Sequence, residues 1–99
     1  MAQNRDVVEQ AVYAALGAVN DELPPQQALP LEAETVLLGE TSPLGSLQLV
    51  NLILAAESDL EQKLGVTLAL TDHEEIFDDP GPLNTVSTLI DWILQVMND

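Results

Sequence analysis

"SPLGSLQLVNLILAAESDLEQKL", residues 42–64, decides the fold. Laid out at roughly 100° per residue, Leu49, Val50, Ile53, Ala56, Leu60 and Leu64 share one broad face. Gln48, Asn51, Ala55, Ser58 and Gln62 lie opposite. This spacing predicts a helix over 46–64, capped by Ser46 and stopped by Gly65. Leu47 and Leu54 fall on neither centre but on the flank, near Asn51, Ser58 and Glu61. They are either half-buried packing or a small docking surface beside Ser46. Ser46 also has two readings: a plain N-cap contributing about 1 kcal/mol, or an attachment point.

The rest of the chain follows the same period. Residues 5–20 carry Val8, Val12, Ala15, Leu16 and Val19 on one face, predicting a first helix. Residues 85–98 place Val86, Leu89, Ile90, Ile93 and Met97 on one stripe, predicting a last helix. Between the first two helices, residues 21–45 hold Pro24, Pro25, Pro30 and Pro43, which forbid a long helix. This connection is expected to be loosely ordered, with "TVLLG" (35–39) as its anchor on the core. "VTLAL" (66–70) alternates like a strand but has no second strand to pair with. It reads as an extended connection burying Val66 and Leu68. Thr71 followed by Glu74 has capping-box spacing and predicts a short third helix over about 72–78, broken by "DDPGP". The sum is a single all-α domain over 1–99, a four-helix bundle with a long loop between helices 1 and 2 and a short helix 3.

Composition narrows the function. The chain has 99 residues, enough for one modest core, and 46% are hydrophobic, too many for a disordered acidic tail. Seventeen Asp and Glu stand against Arg5 and Lys63, a formal charge of −15. That field repels nucleic acid and anionic membranes and steers basic protein surfaces toward it. Cysteine is absent, so the protein supplies no thiol of its own. His73 is the sole histidine and sits among solvated carboxylates, a poor basis for a metal site. There is no glycine-rich phosphate loop and no general base beside Ser46 in the sequence. The expectation is a non-enzymatic, cytoplasmic, monomeric protein with no metal.

"PLGSLQLVNLI", "LEQKLGVTL" and "DDPGPLNTVSTLIDWI", with four predicted helices in this order, resemble an acyl carrier protein over roughly residues 5–97. The resemblance implies that Ser46 carries covalent 4′-phosphopantetheine, whose thiol holds acyl groups as thioesters. It also implies that Leu54 falls where the family often has an exposed apolar contact. The implied partners are a phosphopantetheinyl transferase and acyl-activating ligases, acyltransferases or synthases of fatty-acid, lipid or secondary-metabolite synthesis. Their docking surface would take in Leu47, Asn51, Leu54, Glu57, Ser58 and Glu61. A phosphodiester at the first turn of a helix meets free N–H groups and the positive end of the dipole.

Three features depart from the family pattern. Gly45 stands where aspartate usually precedes the serine. The second helix is about one turn longer than in the common short carriers. Gln48 and Asn51 occupy positions where acids are usual, and charge begins only at Glu57, Asp59 and Glu61. These features fit a specialised carrier with its own partners. Gly45 also keeps open an unmodified, carrier-like docking domain, and the charge alone an acidic mimic of nucleic acid.

The charge carries a stability prediction. Carboxylates crowd Asp72 to Asp79 with no cation among them, and their repulsion opposes the compact state. The melting temperature near neutral pH should be higher at moderate than at low salt, because added ions screen that repulsion. A scanning-calorimetry series in sodium chloride tests this; an unchanged or falling melting temperature would count against it.

Overall fold

Three of the four predicted helical stretches are α-helices in the computed structural model. It describes residues 2–38, 44–65, 67–77 and 81–98, with backbone alone at 2–4, 46, 71, 74, 77 and 98. α1 runs Ala2–Asn20, starting earlier than its apolar stripe suggests. α2 runs Ser46–Leu64 and α3 Val86–Asn98. α1 packs against both of the others. Its Val8, Ala11, Val12, Ala15, Leu16 and Val19 are buried, the face expected from the sequence. Opposed to them are Leu49, Leu52, Ile53, Ala56 and Leu60 of α2 and Val86, Leu89, Ile90 and Ile93 of α3, each at most 3% exposed. Each buried Leu or Ile contributes about 1.5–3 kcal/mol, so these stripes supply most of the drive to fold. Outside the core, Arg5 ties α1 to α3 by pairing with Asp91 at 2.9 Å, while also reaching Glu9 at 3.0 Å.

The long connection is tied down more tightly than its prolines suggest. The Asn20 side chain clamps Leu29 from both sides: its Oδ1 accepts from Leu29 N–H at 2.9 Å, and its Nδ2 donates to the Leu29 carbonyl at 2.8 Å. Pro25–Gln27 form a 3₁₀ turn between. Buried Thr35 donates its hydroxyl to the Pro30 carbonyl at 2.7 Å. Within the expected anchor, Leu37 is fully buried. Gly39 and residues 40–43 lie outside the described residues.

The same connection caps α3. The first N–H groups of a helix lack intrahelical acceptors. Here Val86 N–H donates to the Thr35 carbonyl at 3.0 Å and Ser87 N–H to the Ala33 carbonyl at 2.9 Å. Leu37 and Leu38 return N–H bonds to the Asn84 and Leu83 carbonyls, and Val36 and Thr85 form an antiparallel bridge. Thr85 and Thr88 complete the cap reciprocally. Thr85 Oγ1 accepts from Thr88 N–H at 3.2 Å, and Thr88 Oγ1 from Thr85 N–H at 2.9 Å.

The expected third helix is absent, and the described residues hold three α-helices rather than a four-helix bundle. Residues 72–78 were expected to be helical. Leu70–Asp72 and Glu74–Phe77 are instead two 3₁₀ turns, separated by His73 in an extended conformation (φ −87°, ψ 108°). The reason lies in what must be buried. Leu70 and Ile76 are both fully inaccessible. On one α-helix their spacing would set them about 120° apart; with the extended residue His73 between two short turns, each turn places its own residue in the core. So short a helix also gains too few hydrogen bonds to offset its nucleation. The side chains of Thr71 and Glu74, the expected capping box, lie outside the described residues, as does Val66. Leu68, the other expected anchor, is buried.

These turns rest on α3 through a shared carboxylate. Glu75 Oε2 accepts from Trp92 Nε1 at 3.4 Å and lies 3.5 Å from His73 Nδ1. The His73 and Trp92 rings meet edge-on, 5.5 Å apart. Glu75's own backbone N–H, and more weakly Trp92 and His73, hold its carboxyl below the ordinary carboxylate range, against an opposing desolvation effect. A depressed carboxyl stabilises the fold above its unfolded pKa and loses that effect as pH falls through the folded value. Glu75→Gln should therefore be less stable than wild type at about pH 6, with the gap closing below about pH 4. Urea midpoints across that range check this; a constant gap would refute the assignment.

Candidate functional site

The candidate site is the start and outer flank of α2. Gly45, not Ser46, is the N-cap. Its backbone is extended (φ −88°, ψ 179°), and its carbonyl accepts the first helical bond from Leu49 N–H at 3.1 Å. Ser46 is thus the first residue inside the helix, which corrects its assignment as the cap. Glycine offers no side-chain oxygen, so only half of a capping box forms: Gln48 Oε1 accepts the Gly45 N–H at 3.0 Å. A Cβ at position 45 would stand 3.0 Å from that same oxygen. The bare glycine leaves room for the amide, and the two residues work as a pair. The spacing of Gln48 three residues after Gly45 is the signal that could have revealed this. At the other end the expected stop is present: Gly65 adopts the left-handed conformation (φ 66°) that ends helices.

Ser46 sits at the N-terminal end of α2, where backbone N–H groups and the helix dipole favour an anion. The orientation and accessibility of its hydroxyl lie outside the described residues. Beyond it, Leu47 is 69% exposed and Leu54 44% exposed. Two turns apart, they share a side of α2, with half-buried Asn51 between them and exposed Ser58 one turn further on. Of the two readings of these leucines, half-buried packing does not describe Leu47.

Glu57 and Glu61 are placed differently from the other four docking candidates. Both are half-buried, and each commits a carboxylate oxygen to the chain that follows α2. Glu57 Oε2 accepts from Leu70 N–H at 2.7 Å, and Glu61 Oε2 from Leu68 N–H at 3.0 Å. These bonds take up backbone N–H groups of the 67–70 stretch, which pairs with no strand among the described residues. Asp59, on the same helix, lies 3.2 Å from Lys63 Nζ. The acids of α2 are therefore engaged within the molecule. The signal available in sequence was their spacing of one helical turn, beside an extended stretch with unpaired N–H groups.

Among the described residues no group of three or more His, Asp or Glu side chains could hold a metal ion. No helix there is long and apolar enough to cross a membrane. Comparison with protein-family models, curated proteins and solved structures found no match to this chain.

The cap assignment sets an order of stabilities. Ser46→Ala should change stability by less than about 0.5 kcal/mol, because position 46 is inside the helix. Gln48→Ala should cost about 1 kcal/mol by removing the acceptor of the Gly45 N–H. Equilibrium urea denaturation of both variants decides; the reverse order would return the cap to Ser46.

Proposed function

We propose that this chain is an acyl carrier, bearing a 4′-phosphopantetheine arm on Ser46 and presenting acyl thioesters to separate enzymes. The observation that carries the reading is the place of Ser46 at the head of α2. The cap bond there is made by Gln48, so the serine is not needed to start the helix. A phosphodiester on it would meet the N-terminal N–H groups of a 19-residue helix. The arm would supply the thiol that a cysteine-free chain lacks. Exposed Leu47 and Leu54 offer apolar contact to an enzyme reaching for that serine. The partners in this reading are a phosphopantetheinyl transferase and acyl-activating ligases, acyltransferases or synthases. The chain itself is a cytoplasmic monomer without catalysis of its own. A carrier of this kind is a specialised one, with three α-helices among the described residues and two 3₁₀ turns where a short third helix was expected.

A second reading keeps the same surface without the arm: a helical docking domain. Gly45 favours it, since no carboxylate precedes the serine to assist modification. The glycine's φ suits any residue, and the Gln48 amide that a new Cβ would meet can swing aside. Gly45→Asp is thus compatible with the fold.

Incubation with coenzyme A, magnesium and a broad-specificity phosphopantetheinyl transferase, read by intact mass, should show the phosphopantetheine adduct on wild type and none on Ser46→Ala. Gly45→Asp should load faster if the missing carboxylate limits the reaction. If several transferases leave wild type and Gly45→Asp unmodified, the docking-domain reading stands instead.

A further inference from the structure

We infer that His73, Glu75 and Trp92 form a proton-operated clasp on the 67–77 stretch, fastening it to α3 when His73 is charged and loosening it when His73 is neutral. The stretch is thereby a lid on the core whose closure follows pH near neutrality. This holds whether or not Ser46 carries an arm.

The lid is defined by what it covers and by how it is held. Leu68, Leu70 and Ile76 are buried, yet the backbone that carries the last two winds only as two short 3₁₀ turns. Turns of this kind make few bonds of their own, so the stretch depends on its flanks. On the α2 side, Glu57 and Glu61 take up the Leu70 and Leu68 N–H groups. On the α3 side, the Glu75 carboxylate accepts from Trp92 Nε1 at 3.4 Å and faces His73 Nδ1 at 3.5 Å. The His73 ring also rests edge-on against Trp92. His73 is the extended residue between the two turns, so a change in its hold acts on both.

The inventory of titratable groups makes His73 the control. Between about pH 6 and pH 8 carboxylates are already ionised, and tyrosine, lysine and arginine have not begun to lose protons. The chain has one histidine and no cysteine, so no other side chain changes charge in that window. The Glu75 carboxyl stays charged throughout it, held below the ordinary carboxylate range chiefly by its own backbone N–H. A neutral imidazole has a single N–H; when that sits on Nε2, the Nδ1 lone pair faces the Glu75 oxygen. A charged imidazole has N–H on both nitrogens, and Nδ1 then donates to the carboxylate as a cation. The other groups around the ring act with the same sign. Its own stretch brings Asp72 and, next in sequence, Glu74, Asp78 and Asp79; α3 brings Asp91, and α2 brings Glu57 and Glu61. The two cations of the chain are held elsewhere, Arg5 by Glu9 and Asp91 and Lys63 by Asp59. With side chains 40% and 52% exposed, the His73–Glu75 pair is a modest clasp that changes the opening equilibrium by only about threefold.

Native-state hydrogen exchange read by NMR tests the clasp. The Ile76 N–H donates to the His73 carbonyl at 3.1 Å and so reports on closure. Corrected for intrinsic exchange, its protection should rise about threefold from pH 8 to pH 6. The Leu29 N–H, held by Asn20 in the other connection, should not change. Ile76 should exchange with little dependence on low urea, as local opening requires, and the buried α1 amides with the strong dependence of global unfolding. His73→Gln, neutral at every pH, should keep Ile76 at its pH 8 protection throughout, whereas Asp72→Asn should retain the wild-type rise. The Trp92 indole N–H resonance should move over the same range in wild type and stay fixed in His73→Gln, a readout that does not depend on protection. An equal rise in His73→Gln, loss of the rise in Asp72→Asn, a flat response in wild type, or Ile76 exchange that follows the global urea dependence overturns the inference.

Discussion

A chain with seventeen acids and two cations cannot neutralise itself by ion pairing. Its non-helical segments are organised instead by side-chain atoms that take up backbone groups. Glu57 and Glu61 hold the 66–70 connection, Gln48 holds the start of α2, Asn20 clamps Leu29, and Thr35 reaches the Pro30 carbonyl. A carboxylate that accepts a backbone N–H makes a charge-assisted bond, stronger than one between neutral groups. It also satisfies a donor that would otherwise be left without a partner. The acidity of this protein is thus partly structural, and surface solubility is only one of its effects.

Those polar ties have something firm to act on because the three helical stripes bury an almost purely aliphatic core. α1 is the hub, packing against α2 and α3. The shorter elements add Leu37, Leu44, Leu68, Leu70, Ile76 and Leu83 to the same core. Trp92 is the large aromatic among the described buried residues, and its ring nitrogen is turned toward Glu75. A polar handle on an otherwise apolar ring suits a position at the edge of a core.

The helices were legible in the sequence because their stripes are long. Leu49, Ile53, Leu60, Leu89, Ile90 and Ile93, chosen by periodicity alone, are all buried. Leu52 escaped because it lies off the centre of the stripe, yet it is fully buried; α2 is covered over a wider arc than one stripe implies. The short elements were less legible. Thr71 and Glu74 have the spacing of a helix start, but Leu70 and Ile76 are both drawn fully into the core from two turns broken at His73, a demand of packing rather than of local propensity. At the candidate site the sequence placed Leu47 and Leu54 off the buried face of α2, and both are exposed. The cap at Gly45 was legible only through the Gln48 spacing, and the inward bonds of Glu57 and Glu61 depend on where the 66–70 connection passes.

The carbonyls of Ala33 and Thr35 that close the first turn of α3 come from the far half of the chain. Local contacts usually let helical proteins fold fast, since each helix finds its caps nearby. Here α3 completes its N-terminus only after the chain from 36 to 85 has closed into a loop, and closing so long a loop costs entropy before any bond forms. The order of assembly follows. α1 and α2 can pair first, the connection settles across them, and the last helix is finished by a strand-like pairing. The pairing that finishes the last helix is thus of the non-local kind that dominates β-proteins, set into a fold otherwise built from helices.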